Sequence, residues 1–318
     1  AEADESDGPF SRLKPTVAIV TNIDAEHLDH HGSFENLETA FENFITSIPF
    51  YGFAALCIDH PSVQKLLPAA SDRRVITYGL SANADVRAVN LRHEAGQMLF
   101  DVQLSDRLEI AVDRLEDVQF PMLGEHNVQN CLAAISICLE MAIDPAVILS
   151  GLRQFKGVGR RFDFKGETDG ITIIDDYGHH PVEIRAALSA GRMRAEQNKL
   201  IAVVQPHRYT RLRDLFSDFC ACFNDADHVI VSDVYAAGEA PIEGFERDDL
   251  VEGLRAWGHR SVHAMQDPSH LAAQINDLAT SGDLVMCLGA GTVTQWASSL
   301  PQELALLRSA SPDKEAGE

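Results

Sequence analysis

From Ile171 onward, short apolar runs alternate with segments of helical period. The runs are Ile171 to Ile174, Leu200 to Val204, His228 to Val231, Val262 to Ala264 and Leu284 to Leu288. Between them, helical patterns cover Pro181 to Met193, Leu212 to Phe223, Arg247 to Trp257 and Pro268 to Ala279. Continuously apolar strands joined by helices build a parallel sheet covered on both faces, so this half is predicted to be α/β and doubly wound. Ligands in such sheets bind beyond the carboxyl ends of the strands. The first strand runs into Asp175-Asp176-Tyr177-Gly178-His179-His180-Pro181 and the second into Gln205-Pro206-His207-Arg208-Tyr209-Thr210-Arg211. Neighbouring parallel strands would set these two polar ends side by side.

The first half starts as β-α-β. Pro15 to Ile23 reads as a strand covered on both faces, and Phe34 to Ile48 as a helix with Leu37, Phe41, Phe44, Ile45 and Ile48 inward. Another strand runs from Ala54 to Ile58. Candidate strands at Val75 to Tyr78, Val86 to Leu91, Met98 to Leu104 and Leu108 to Val112 suggest a small antiparallel annex. A helix from Gly124 to Met141, with Ala133, Ala134, Ile137 and Met141 on its inner face, precedes a shorter one from Pro145 to Phe155. Gly157 and Gly159 then loosen the chain before the second alternation. The predicted organisation is a first domain over 1–158, a second over 159–308 and a tail over 309–318.

Lysine and arginine number 26 against 48 Asp and Glu, a net charge of −22. That excludes a nucleic-acid surface, which needs cations to displace counterions, and makes each basic cluster informative. No apolar run reaches membrane-spanning length and no signal segment is evident, so a cytoplasmic location is expected. The six cysteines lack metal-site spacing and read as reduced, packed thiols.

Four further groups carry chemistry. Gly289-Ala290-Gly291-Thr292 could cradle a phosphate or simply make a tight turn, and no following strand supports a dinucleotide site. Glu26-His27-Leu28-Asp29-His30-His31 is a solvated loop or a site for a hard ion such as Mg²⁺, with carboxylate help from the acidic opening stretch. His126-Asn127 with Asn130 either caps a helix or presents amides to a purine edge. Arg160-Arg161 beside the glycine hinge suits a polyanion.

Together EADESD, TNIDAEHLDHHG, GEHNVQN, GVGRRFD, DDYGHHP, QPHRYTR and DVYAAGEAP resemble the bacterial Mur ligases from Glu2 to about Trp296. The resemblance implies a central ATP-binding domain, incomplete at its start, followed by a Rossmann-like domain that binds the amino acid. It implies an ATP-dependent amide-forming ligase, with DDYGHHP and QPHRYTR resembling the alanine-adding member; the alternatives are a murein tripeptide ligase and a non-catalytic nucleotide-binding remnant. The implied ligands are ATP, Mg²⁺, UDP-N-acetylmuramate and L-alanine. By the same resemblance Glu2 and His27 hold Mg²⁺. His126, Asn127, Asn130, Arg160, Arg161, Asp175 and Asp176 serve ATP, with Asp175 or Asp176 on the ribose. Tyr177, His179, His180, Arg208 and Arg211 face the alanine and the reacting carboxylate, and His27, His179, His180 and Arg208 are the catalytic candidates.

The sequence departs from the family in one respect. It opens on Ala1 inside the central domain and contains no Gly-x-x-x-x-Gly-Lys-Ser/Thr phosphate loop. Without that loop the β- and γ-phosphates lose their main cradle. Purified residues 1–318 alone are therefore expected to release no phosphate from ATP when given UDP-N-acetylmuramate and L-alanine; a phosphate-release assay checks this.

Overall fold

In the computed structural model, residues 13–24, 31–110 and 112–309 are described. They form two compact units, one up to Pro121 plus Glu125–Phe155, the other Met122–Gly124 plus the residues from Lys156 on. Among the described residues no helix is long and apolar enough to cross a membrane.

The first unit is built on one six-stranded mixed sheet in sequence order: β1 (Val17–Val20), β2 (Phe53–Cys57), β3 (Arg74–Gly79), β4 (Val86–Glu94), β5 (Gln97–Leu104) and β6 (Arg114–Phe120). β1 to β4 pair in parallel, and β4, β5 and β6 in antiparallel. The expected annex is therefore a continuation of the main sheet. The strand expected at Leu108 to Val112 is not formed; Leu108 anchors a loop and the strand falls at Arg114–Phe120. Among the described residues β1 is an edge strand, with Ala18 and Val20 buried but Val17 and Ile19 exposed, so the two-sided cover expected of it is not seen there.

Helix α1 (Phe34–Thr46) packs Leu37, Phe44 and Ile45 onto this sheet and is capped by Ser33, whose hydroxyl accepts from the Asn36 N–H. A single turn, α2 (Pro61–Gln64), follows β2. Helix α3 (Glu125–Glu140) lies across β2, β3 and β4, and α4 (Pro145–Arg153) starts on an Asp144 cap. The inward stripe of α3 is Val128, Leu132, Ile135 and Leu139, while Ala134 and Met141 face solvent. The stripe at i, i+4, i+7 and i+11 collects the larger branched side chains, which gain more from burial than the alanines of the expected face.

The second unit contains β7 (Asp163–Thr168), β8 (Ile171–Asp176), β9 (Leu200–Val204), β10 (His228–Val231), β11 (Val262–Ala264) and β12 (Leu284–Leu288) in the order β11-β10-β9-β12-β8-β7. All are parallel except β7, which the sequence pattern missed and which pairs antiparallel with β8 at the edge. β12 sits between β8 and β9, so those two strands are not neighbours. Helices α5 (Pro181–Ala195), α6 (Tyr209–Asp214), α7 (Phe216–Ala221) and α8 (Arg247–Ala256) share one core, through Ile184, Leu188, Leu212, Phe219 and Leu254. Helices α9 (Leu271–Leu278) and α10 (Val293–Ser309) share the other, through Leu271, Ile275, Ala297 and Leu300. The helix expected over Leu212 to Phe223 is broken at Leu215, and the one expected from Pro268 begins as a 3₁₀ turn. Ser309, placed in the tail by its sequence, closes α10, and the rest of that tail lies outside the described residues.

All six cysteines are free thiols and five are buried, which pushes their pKa values up. α5 lies so close to the sheet that a Cβ on Gly191 would sit 2.3 Å from the Met286 sulfur and 3.2 Å from Leu200 methyl carbons. Replacing Gly191 by Ala is expected to destabilise this unit by about 1–3 kcal/mol, the usual cost of overpacking, as read from the midpoint of its urea unfolding curve.

Candidate functional site

β12 is followed by a helix on one face of the sheet, and both of its neighbours by helices on the other. The chain therefore leaves the carboxyl edge in opposite directions at this point, which opens the crevice where α/β sheets bind ligands. Three segments meet there: Asp175 to His180 after β8, Gln205 to Arg211 after β9 and Gly289 to Thr292 after β12.

The two carboxylates that end β8 are both inside. Asp175 is fully buried; its Oδ2 accepts from Thr294 Oγ1 at 2.6 Å and lies 3.7 Å from Arg160 Nε and 3.6 Å from Lys165 Nζ. Asp176 is used on backbone, accepting from the N–H of Gly178 and of Phe162 at 2.8 Å each. Burial raises its pKa above the ordinary value, partly offset by those two bonds. Both carboxylates are buried, and together they fold the chain before β7 onto the sheet.

That fold aims Arg160 and Arg161. Arg160 donates from Nη2 to the Gly289 carbonyl at 2.8 Å and lies 4.7 Å from the Tyr177 ring centroid. Arg161 lies 5.6 Å from the same centroid, and its Nη1 is 3.4 Å from Glu183 Oε1. Two guanidiniums thus lie over the Tyr177 ring, each attracted to its π face.

His179 and His180 separate in role. His180 is 5 % exposed and caps α5: its Nδ1 accepts from the Val182 N–H, and Glu183 completes the capping box. His179 packs edge-on against Tyr177 and, at 5.8 Å between centroids, against His207. Burial holds the His179 pKa below its ordinary value, with Glu183 opposing and Arg211 and Arg161 reinforcing.

After β9, Gln205 fixes the glycine turn. Its Nε2 donates to Thr292 Oγ1 at 3.0 Å and its Oε1 accepts the Val293 N–H at 3.1 Å, so a neighbouring strand caps α10. A Cβ at Gly289 would meet the Gln205 carbonyl oxygen at 2.7 Å, and one at Gly291 would meet Gln205 Oε1 at 2.4 Å and the Tyr235 ring at 2.8 Å. The turn has the close packing of a β-α connection, and the Val293 donor that a phosphate would want is taken. His207 stacks on Tyr235 at 5.3 Å, and Arg211 Nη1 faces His207 Nδ1 at 3.4 Å. A cleft of about 180 Å³ opens beyond this stack, lined by Gln205, Asp233, Tyr235, Met265, Asp267 and Trp296. Arg208 is exposed; its guanidinium makes no side-chain hydrogen bond among the described residues and is attracted by the Glu239 carboxylate.

Four non-glycine residues of these loops have left-handed backbone: Arg160 (φ 60°), Phe162 (φ 52°), Arg208 (φ 68°) and Ala237 (φ 50°). Each costs about 1–2 kcal/mol, so the surrounding bonds must hold them, as the Tyr235 carbonyl does for the Arg208 N–H at 2.9 Å.

Residues 2–138 match the model of the Mur ligase middle domain and residues 160–291 that of the Mur ligase glutamate ligase domain. The chain belongs to the Mur ligase family. It is 56% identical to UDP-N-acetylmuramate–L-alanine ligase from Granulibacter bethesdensis over 310 residues, covering 98% of this chain and 64% of that protein. It is also 56% identical to the enzyme of the same name from Gluconobacter oxydans, covering 96% and 64%. Its fold matches the crystal structure of a UDP-N-acetylmuramate-alanine ligase from Thermotoga maritima with a TM-score of 0.76 at 23% identity, over 98% of this chain and 64% of that one. The chain thus spans just under two thirds of the length of these relatives.

Of the Mur-type site residues named from the sequence, the second unit brings together Arg160, Arg161, Asp175, Asp176, Tyr177, His179, His180, Arg208 and Arg211. In the first unit Asn127 is buried within the first turn of α3, past the cap position, with His126 half-buried and Asn130 exposed. Glu2 and His27 lie outside the described residues.

Sequence reasoning missed Glu183, Gln205, Tyr235 and, in the first unit, Asp59. The Asp59 carboxylate accepts from the N–H groups of Leu80 and Ser81, the Ser81 hydroxyl and Gln129 Nε2. Burial alone would raise its pKa, but these bonds hold it below the usual range. A signal existed for Glu183, since it stands three residues after His180 at capping-box spacing.

The His207 imidazole is driven down by burial and then by His179, Arg211 and Arg208, to about 4. A base with a lowered folded pKa is neutral in the fold but protonates when unfolded below pH 6.5. Stability is therefore complete above pH 6.5 and falls as pH drops toward 4. The loss assigned to His207 is at most about 3 kcal/mol at 1.4 kcal/mol per unit. Urea unfolding at pH 7 and pH 4.5 is expected to show that loss, reduced in His207→Gln.

Proposed function

We propose that the chain supplies the adenine-binding and amino-acid-binding parts of an ATP-dependent ligase that joins L-alanine to UDP-N-acetylmuramate in peptidoglycan precursor synthesis. One structural observation carries this reading: in a chain of net charge −22, Arg160, Arg161, Arg208 and Arg211 gather at one carboxyl sheet edge beside neutral imidazoles. Such an edge suits a phosphoanhydride and a carboxylate together. The relatives named above support the choice of alanine over a murein tripeptide.

The chemistry follows from the reactants. A carboxylate is a poor acyl donor, so the γ-phosphoryl group of ATP passes to the lactyl carboxylate of UDP-N-acetylmuramate. The resulting acyl phosphate loses phosphate when the alanine amine attacks its carbonyl carbon. Phosphoryl transfer of this kind asks the protein for cations and positioning. Arg160 and Arg161, held by Asp175, Gly289 and Glu183, are set to neutralise phosphate charge. Arg208 is set to take the alanine carboxylate, with Arg211 beside it, and Asn127 and Asn130 with His126 the adenine. Asp175 and Asp176 contribute by shaping the Arg160 loop. Mg²⁺ would shield the phosphates when bound; Glu2 and His27, the residues assigned to it, lie outside the described residues, and no step is assigned to the metal. Dependence on ATP argues for a cytoplasmic reaction.

The test uses the complete gene product. Phosphate release is expected to require both UDP-N-acetylmuramate and L-alanine, and release sustained equally by a murein tripeptide in place of L-alanine would overturn the assignment. Arg208→Ala is expected to raise KM for L-alanine about 10- to 100-fold, the worth of one or two charge-assisted hydrogen bonds, with Arg208→Lys recovering part of it.

A further inference from the structure

Three imidazoles lie on the carboxyl edge of the second unit, and their partners fix where each carries its proton. His180 Nδ1 accepts from the Val182 N–H, so that nitrogen is bare. His207 Nδ1 faces Arg211 Nη1, and a guanidinium only donates, so Nδ1 is bare there too and the proton is on Nε2. His179 is the reverse. Its Nδ1 lies 3.1 Å from the Tyr177 carbonyl oxygen and 3.3 Å from Glu183 Oε2. Both are acceptors, so Nδ1 must hold the proton and the lone pair of the neutral ring is on Nε2.

That Nε2 has no hydrogen-bond partner among the described residues, although the side chain is only 15% exposed. An Nδ1–H tethered to the Tyr177 carbonyl beside the Glu183 carboxylate, with an open Nε2, is the arrangement of an oriented general base. Glu183 is itself firmly held, because its Oε2 also accepts from the N–H of His179 at 3.0 Å and of His180 at 3.2 Å. Although burial opposes it, His179, those two N–H groups and Arg161 hold the Glu183 carboxyl below its usual range, so it is ionised.

We propose that His179 Nε2 accepts the proton of the incoming amino acid's ammonium group and that Glu183 is the residue positioning it. This rests on the ligase reading. The N–H bond of the ammonium breaks and a proton–Nε2 bond forms, leaving the electron pair on the amine nitrogen. That pair attacks the acyl carbon of the acyl phosphate, the C–O bond to phosphate then breaks with its pair on the leaving phosphate, and the second surplus proton of the attacking nitrogen passes to that phosphate, which leaves a neutral amide. His179 becomes an imidazolium opposite the Glu183 carboxylate, and loses its proton to solvent after release. The groups facing the ring are Tyr177 and Arg161 from the loops, Glu183 from α5, and His207 and Arg211 from beyond β9. The cations among them oppose protonation, which keeps the base free near pH 7.

Two measurements test this. Long-range ¹H–¹⁵N correlation spectra of ¹⁵N-histidine-labelled residues 1–318, with His179→Gln to assign the signal, are expected to show His179 protonated on Nδ1 and bare on Nε2. A proton on Nε2 would overturn the proposal whatever the enzyme does. In the complete gene product, His179→Gln is expected to lower kcat about 10²- to 10⁴-fold and abolish the acid limb of kcat/KM for L-alanine. Glu183→Gln keeps an amide oxygen for the two N–H groups but removes the charge that raises the His179 pKa, so the acid limb moves to lower pH. A uniform loss with the limb unmoved would reduce Glu183 to a helix cap and sink its positioning role. If the wild type showed no alanine-dependent turnover, the ligase reading and the base role would fail together, while the spectrum would still report the tautomer.

Discussion

The insertion of β12 between β8 and β9 governs the second unit. Leu284 to Leu288 hydrogen-bonds to both strands at once, and the helix after it leaves on the opposite face from theirs. A sheet wound in one direction only would have set the β8 and β9 ends against each other without a gap. The inserted strand instead wedges a glycine turn between them, with Gln205 tying it from one side and Arg160 from the other. The two glycines are needed because the neighbouring carbonyl and aromatic ring come too close for any side chain.

Electrostatics completes what the sheet begins. In an acidic chain an arginine tends to be neutralised by the nearest carboxylate, and much of this surface behaves so: Arg213 with Asp214, Arg192 with Asp227. Arg160 and Arg208 at the sheet edge are treated differently. Arg160 is held chiefly through a backbone carbonyl and an aromatic face, with Asp175 at 3.7 Å rather than in bonding contact. Arg208 has a strained backbone and an exposed head whose counter-charge, Glu239, acts on it without a side-chain hydrogen bond. Leaving cations under-compensated costs stability and retains attraction for an anion that arrives later. The histidines beside them respond by staying neutral, which makes them useful for moving protons.

How much of this was readable in advance depends on whether a residue's role is local. The runs that became β9, β10, β11 and β12 are legible to the residue, because a parallel strand covered on both faces is apolar nearly throughout, and only His228 and His263 interrupt these four. Strands β6 and β7 are not, since edge strands such as Asp163–Thr168 are half polar and carry no run to detect. The order of strands is set by non-local pairing, so nothing near Ile171 or Leu200 announces that Leu284 will come between them. The site shows the same division. Its residue types stood out at the strand ends, but which imidazole caps a helix and which stays open was set by Glu183 in the first turn of α5, whose capping-box spacing announces a helix start and not a partner for His179.

The two adjacent histidines show how a role can hang on a single step of the chain. His179 and His180 are identical in chemistry and differ by one step along an extended segment, which turns their side chains to opposite sides. One step turns His180 into the fold, where a ring nitrogen serves a helix terminus. The preceding step turns His179 over Tyr177 and toward His207, where the same ring has one tethered and one open nitrogen. The helix start at Pro181 decides this, because Glu183 can reach back to both backbone N–H groups only if α5 begins there. A capping box is ordinarily a device for starting a helix cleanly. Here its carboxylate also fixes the ring one residue upstream, so the local rule that starts α5 and the chemistry at the sheet edge use the same few residues.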